Sequence, residues 1–128
     1  MNNFIFTFGS NLRGRHGAGA AKFAADNYGA IEGVGEGLTG SSYALPTKDE
    51  HIETRELKDV KASVKKFLDF ARANLNMKFK VTRIGCGLAG FTNEQIAPLF
   101  VDAPINCGFD PEWAVYDLQT WNDIGIED

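Results

Sequence analysis

The sequence predicts an α/β fold, a three-layer α/β/α sandwich on a largely parallel sheet. Three observations support this class. Short apolar runs alternate with helical patterns in the order β-α-β(β)-α-β-α-β, the pattern of a parallel sheet covered by helices. The first run, Asn3 to Phe8 (NFIFTF), is nearly continuous in apolar character, as for a central strand buried on both faces. Twice, a strand runs through a glycine-bearing loop into a helix start. In a parallel sheet both loops would lie at the carboxyl ends of their strands, where such folds bind ligands.

Gly9-Ser10-Asn11 ends the first strand, and Leu12 to Ala18 is a polar loop carrying Arg13, Arg15 and His16. The two arginines could meet phosphate or ribose oxygens, or be solvated loop cations. His16 has no partner close in sequence and is read as a solvated loop residue. Gly17-Ala18-Gly19-Ala20-Ala21 leads into a helix ending near Tyr28, with Gly29 as its C-cap. Its small residues allow another backbone or a ligand to approach closely. Residues 29–42 hold five glycines, and Gly35-Glu36-Gly37-Leu38-Thr39-Gly40 matches G-x-G-x-x-G. That fingerprint must follow a strand and open a helix. Here a short strand, Tyr43-Ala44-Leu45-Pro46, comes next, so a turn-rich or hairpin segment folding over the site is expected instead. Thr47-Lys48-Asp49 follows that strand and brings Lys48 near the loops.

Thr54 to Ala73 is the clearest helix. Leu57, Val60, Val64, Phe67, Leu68 and Ala71 form an apolar stripe, and Lys58, Lys61, Lys65, Lys66 and Asp69 lie off it. Phe79 to Ile84 reads as the next strand, and a helix over about 93–101 follows, with Pro98 limiting its regularity. Asp102 to Pro111 is expected to be irregular, Trp113 to Leu118 to form the last strand, and the acidic tail from Trp121 to be loose.

The stretch most informative about function is Val81 to Phe91. It opens as a buried strand, gives glycines at 85, 87 and 90, and ends at a capping box, Thr92-Asn93-Glu94-Gln95. Phe91 and Ile96 have the spacing of a hydrophobic staple. A glycine loop running into a helix start gathers unpaired backbone N–H groups, which suit an anion and above all a phosphate.

Composition sets the outer limits. A length of 128 residues suits one domain, and 44% hydrophobic residues suit a globular one. No apolar run approaches a membrane span, and Met1-Asn2-Asn3 lacks the basic start of a signal peptide. A cytoplasmic protein is therefore expected. A formal charge of −4 argues against general nucleic-acid binding. Cys86 and Cys107 have no metal-ligand spacing, and neither metal nor cofactor is expected. Cys86, between two glycines, is read as a small packing residue and not as a nucleophile.

Three strings in this order and spacing resemble macro domains: Gly17-Ala18-Gly19-Ala20-Ala21, Tyr43 to Lys48 (YALPTK) and Arg83 to Leu88 (RIGCGL). The nearest branch contains the terminal ADP-ribose protein glycohydrolase. The resemblance runs from about residue 5 to 118. With Phe8-Gly9-Ser10-Asn11 and the Gly-Glu-Gly segment included, the pattern is also similar to small phage and prophage non-structural proteins. It implies ADP-ribose or a related phosphate-bearing nucleotide as ligand. Gly17, Ala18, Gly19 and Ala20 would lie near the distal ribose and diphosphate, and Gly85, Cys86, Gly87, Leu88, Ala89, Gly90 and Phe91 would form the second phosphate loop. Ser10 and Asn11 would lie near the ligand, Asn11 as the ribose-contacting polar residue. Lys48 matches the lysine that attacks the opened distal ribose in the glycohydrolase branch. Two departures stand out. Ala89 replaces that branch's acid after G-C-G-L, and the initial strand and adenine-reading Asp of macro domains have no counterpart here.

Three functions compete on this reading. The first is a non-catalytic binder of an NAD-derived nucleotide, as a phage would use against host defence in the host cytoplasm. The second is an ADP-ribosyl hydrolase working through Lys48. The third is an accessory protein that docks on a host protein. The intact loops favour the first two, and Ala89 favours the binder, since a general acid–base group contributes about 10²–10⁴-fold.

Overall fold

A computed structural model describes residues 3–127. Five strands form one mixed sheet: β1 (Ile5–Asn11), β2 (Gly37–Thr39), β3 (Ser42–Lys48), β4 (Phe79–Val81) and β5 (Cys107–Phe109). Their order across the sheet is β2-β3-β1-β4-β5. β1 pairs in parallel with β3 and β4, and β4 with β5, while β2 runs antiparallel to β3. The class is therefore the expected α/β, with the helices α1 (Gly19–Tyr28), α2 (Leu57–Ala73) and the single turn α3 (Asn93–Ile96). No helix among the described residues is long and apolar enough to cross a membrane.

Side-chain alternation sorts the sheet into two faces. On one face Phe6, Phe8 and Ala44 pack with Ala21 and Ala24 of α1. On the other, Tyr43, Leu45, Phe79, Val81, Cys107 and Phe109 join Val60, Val64, Phe67, Leu68 and Ala71 of α2. The α2 stripe is thus core-facing as its spacing predicts, with Lys58, Lys61, Lys65 and Lys66 exposed. Gly29 closes α1 in the left-handed region at φ 73°. The hairpin expected within 29–42 forms as β2 and β3. It does not fold over the site. Gly35 lies instead against the end of β1, where an added Cβ would meet the Asn11 carbonyl.

The C-terminal third departs from the sequence reading. β4 stops at Val81, short of Ile84. The helix over 93–101 is one α turn followed by a 3₁₀ helix, Ala97–Phe100, begun by Pro98 near its start. The stretch read as irregular contains β5, and the expected last strand is a 3₁₀ helix, Pro111–Tyr116. Pro111 presets its first turn and the Asp110 carboxylate caps it. The tail is ordered rather than loose. Trp121–Ile124 forms another 3₁₀ helix, with Trp121 and Ile126 buried. It covers β4 and β5 on the face opposite α2, the one that carries Phe6 and Phe8. Lys80 Nζ lies 4.7 Å from the Trp121 ring, and an added Cβ on Gly108 would come 2.5 Å from the Trp121 Cα.

Candidate functional site

A cleft of about 810 Å³ opens at the carboxyl ends of β1, β3, β4 and β5, within the size range of small-molecule sites. β1 contributes Gly9, Ser10 and Asn11, β3 contributes Thr47 and Lys48, and β5 contributes Asp110. The loop after β1 supplies Arg15 and residues 17–21. The loop after β4 supplies residues 82–89. Both glycine loops singled out from sequence therefore face one space.

Its two loops present backbone N–H groups beside a largely apolar lining. Ala18 is the N-cap of α1 and makes no side-chain capping bond. Among the described residues the N–H groups of Gly17 through Ala21 have no acceptor, nor do those of Gly87, Leu88 and Ala89. The loop after β4 holds its own shape by backbone bonds from Ile84 N–H to the Thr82 carbonyl, Cys86 N–H to Arg83, Gly90 N–H to Gly87, and Phe91 N–H to Gly85. Gly85 sits at φ +80° beneath the Phe91 ring and Ile96, which a Cβ would crowd. The capping box is present. Gln95 N–H donates to the Thr92 hydroxyl at 3.2 Å, and Thr92 N–H to Gln95 Oε1 at 2.9 Å. Gly90 and Phe91 complete this turn but do not line the cleft, so the structure does not bring these two expected contacts to it.

The polar side chains divide into braces and free groups. The Ser10 hydroxyl is buried and donates to the Gly35 carbonyl. Asn11 uses both ends of its amide on one residue, donating to the Arg15 carbonyl at 2.9 Å and accepting from Arg15 N–H at 3.0 Å. It shapes the loop 11–15 while lining the cleft. His16 is buried rather than solvated. Its Nε2 lies 3.0 Å from the Ile31 carbonyl, and its ring packs edge-on against Phe8. Arg13 is exposed and does not line the cleft.

Charge in the cleft is inverted relative to the chain. Lys48, Arg15 and Arg83 line it against the single acid Asp110, although the whole chain carries −4. Arg15 makes only an exposed 3.9 Å pair with Glu32, an interaction worth little. Arg83 is held by Asn93 Oδ1 at 3.3 Å and the Glu112 carboxylate at 3.2 Å. Lys48 is half-buried, and its ammonium has no ion-pair partner among the described residues.

Sequence reasoning missed Asp110, Thr82 and Ile52 as lining residues. Asp110 follows a three-residue strand with glycine at its centre, which carries almost no signal. Ile52 adopts φ +62°, a strained conformation for a β-branched residue. Asp49 holds its turn by accepting from the N–H groups of His51 and Glu53. Those bonds also hold the Asp49 carboxyl below its ordinary range. The Thr54 hydroxyl ties the same turn to the loop after β4, donating to the Ala89 carbonyl at 2.8 Å. The mouth is closed on its other side by Leu88, whose Cδ1 lies 3.2 Å from the position of a Cβ on Gly19. Gly19 itself has φ +59°, a left-handed conformation that favours glycine there.

Cys86 lines the cleft half-buried, packed against the core, with Sγ 3.7 Å from the Ile84 carbonyl. Burial pushes its thiol above the ordinary value, only partly offset by Arg83. At neutral pH it is therefore a thiol and a poor nucleophile. Cys86→Ala is expected to keep most ligand affinity and any activity. A loss beyond about a hundredfold in a folded variant, read by calorimetry and activity assay, would reverse this assignment.

No protein-family model matches the sequence, and no curated protein does. Among solved structures, the chain is similar to a protein of unknown function from Bacteroides thetaiotaomicron. The TM-score is 0.56 at 14% identity, covering 94% of this chain and 87% of that one. At this identity the likeness bears on the fold alone.

Proposed function

We propose that the chain is a macro-like domain that binds ADP-ribose or a related NAD-derived nucleotide in the cytoplasm through its two glycine loops. One observation carries this reading. Two sets of unpartnered backbone N–H groups, at residues 17–21 and 87–89, converge on one cation-lined cleft in an acidic chain. Such groups stabilise phosphate oxygens by charge-assisted hydrogen bonds and by the helix dipole. Titration calorimetry against ADP-ribose, its cyclic isomers, NAD and plain phosphate is the test. Binding of a diphosphate nucleotide well above plain phosphate is expected, and the absence of binding by all the nucleotides would overturn the proposal.

The hydrolase is the second reading, and Lys48 is the residue that keeps it open. Its unpaired ammonium lines the cleft, where it can clamp a phosphate or, when neutral, attack an opened ribose. Ala89 occupies the position where the resembling branch carries an acid, which favours the clamp. Lys48→Ala is expected to weaken nucleotide binding by about 1–3 kcal/mol, the scale of a charge-assisted contact. The wild type is expected to release no ADP-ribose from a modified glutamate substrate. A borohydride-trapped Lys48 adduct, or turnover lost in Lys48→Ala, would install the enzyme in place of the binder.

A further inference from the structure

The β5 end of the cleft differs chemically from the rest. Asp110 is half-buried there, its backbone N–H bonded to the Val81 carbonyl at 3.1 Å. Its Oδ1 accepts from Glu112 N–H at 2.9 Å, and its Oδ2 has no partner among the described residues. Thr82, at the end of the neighbouring strand, donates its hydroxyl proton to the Thr7 carbonyl at 2.9 Å. It therefore offers the cleft only lone pairs. The nearby Arg83 guanidinium is engaged by Asn93 and Glu112. The free donors of the cleft are Lys48 at the end of β3 and groups on the two loops, whereas this end presents two acceptors from strands roughly 4.8 Å apart.

A phosphate at this end would face a carboxylate, so the group seated here must bring hydrogens. Two hydroxyls on neighbouring carbons match two acceptors on neighbouring strands. We infer that Asp110 and Thr82 bind the vicinal diol of the nucleotide's ribose, selecting ribonucleotides over deoxy forms. This rests on the nucleotide-binding reading and adds to it a ligand orientation, with phosphates over the glycine loops and a ribose toward β5.

The test is calorimetry of the full chain with ADP, 2′,3′-dideoxy-ADP and inorganic pyrophosphate, and with ADP-ribose as reference. Wild type is expected to prefer ADP over the dideoxy form by about tenfold or more, the scale of a hydrogen bond to a charged group. Asp110→Asn keeps an acceptor for the Glu112 N–H. In that variant the preference should fall to about twofold while pyrophosphate affinity does not drop. A wild type that does not distinguish the two nucleotides overturns the inference without any variant. So does an unchanged preference in Asp110→Asn, or pyrophosphate affinity falling in step with ADP. Binding of ADP-ribose without ADP would put the ribose contact elsewhere and overturn it too. Failure of the wild type to bind any nucleotide would overturn the binding proposal itself.

Discussion

Gly87→Val is expected to weaken diphosphate binding about a hundredfold while leaving the fold intact. Gly87 is exposed, its φ lies outside the left-handed region, and an added Cβ would meet nothing within 4 Å. An exposed substitution of this kind changes stability by about 0.5 kcal/mol or less. The valine branches would nevertheless project from a segment whose N–H groups, at 87–89, face the cleft without acceptors. Holding a diphosphate away from two such donors forfeits about 3 kcal/mol or more, on the order of a hundredfold in affinity. Gly85→Val makes the contrast. At φ +80° beneath Phe91 and Ile96 it should lower stability itself. Calorimetry paired with thermal melts separates the two cases. Unchanged affinity in a folded Gly87→Val would remove the second phosphate loop from the site.

Trp113→Ala is expected to cost about 3–5 kcal/mol, the range for deleting a buried tryptophan. Trp113 is fully buried, with ring centroids 5.8 Å from Phe100 and 6.2 Å from Phe109. Its Nε1 donates to Asn93 Oδ1 at 2.8 Å, the same oxygen that accepts from Arg83. The substitution thus opens a cavity and loosens the anchor of a cleft arginine. Against a total stability of about 5–15 kcal/mol, about a fifth of the margin or more is at stake. Trp113→Phe keeps much of the volume and should cost less. Urea denaturation reads both, and a loss under about 1 kcal/mol for Trp113→Ala would mean that this 3₁₀ helix is not part of the core.

These two residues mark the difference between what the sequence displayed and what it concealed. β1, α1, β3 and α2 were legible because each is long enough to show its period, and because Gly29 and the α2 stripe mark a boundary and a buried face. The convergence of the two loops was legible as well, since strand–loop–helix units in a parallel sheet bring their loops to one end. Trp113 to Leu118 misled because Trp113 to Tyr116 is a continuous apolar run rich in strand-forming residues, yet Val115 is 82% exposed and only Trp113 and Leu118 turn fully inward. The Asp-Pro pair before it was the better signal, an N-cap followed by a residue preset for the first turn. β5 was concealed by its length of three and by Gly108, whose missing side chain admits the Trp121 backbone. The tail carried a readable start at Thr120, whose N–H bonds Asp123 Oδ2 at 2.9 Å. Its burial depends on the distant Lys80, which local pattern does not reveal. Asp110 belongs with these concealed contacts, for it sits in no motif, whereas Thr82 lies within the stretch Val81 to Phe91, whose pattern assigns it no role.

Leu88 places no slow gate on the proposed site. The contact that bridges the two loops over the mouth is a single aliphatic side chain resting on Gly19, still 68% exposed. Little apolar area is hidden there, so lifting it costs about 1 kcal/mol or less. Exposed side chains change rotamer in picoseconds to nanoseconds, far faster than any backbone closure. Such a latch imposes no rate-limiting opening step. On the nucleotide-binding proposal, residence time would then be set by the phosphate contacts themselves, without any rearrangement of the sheet.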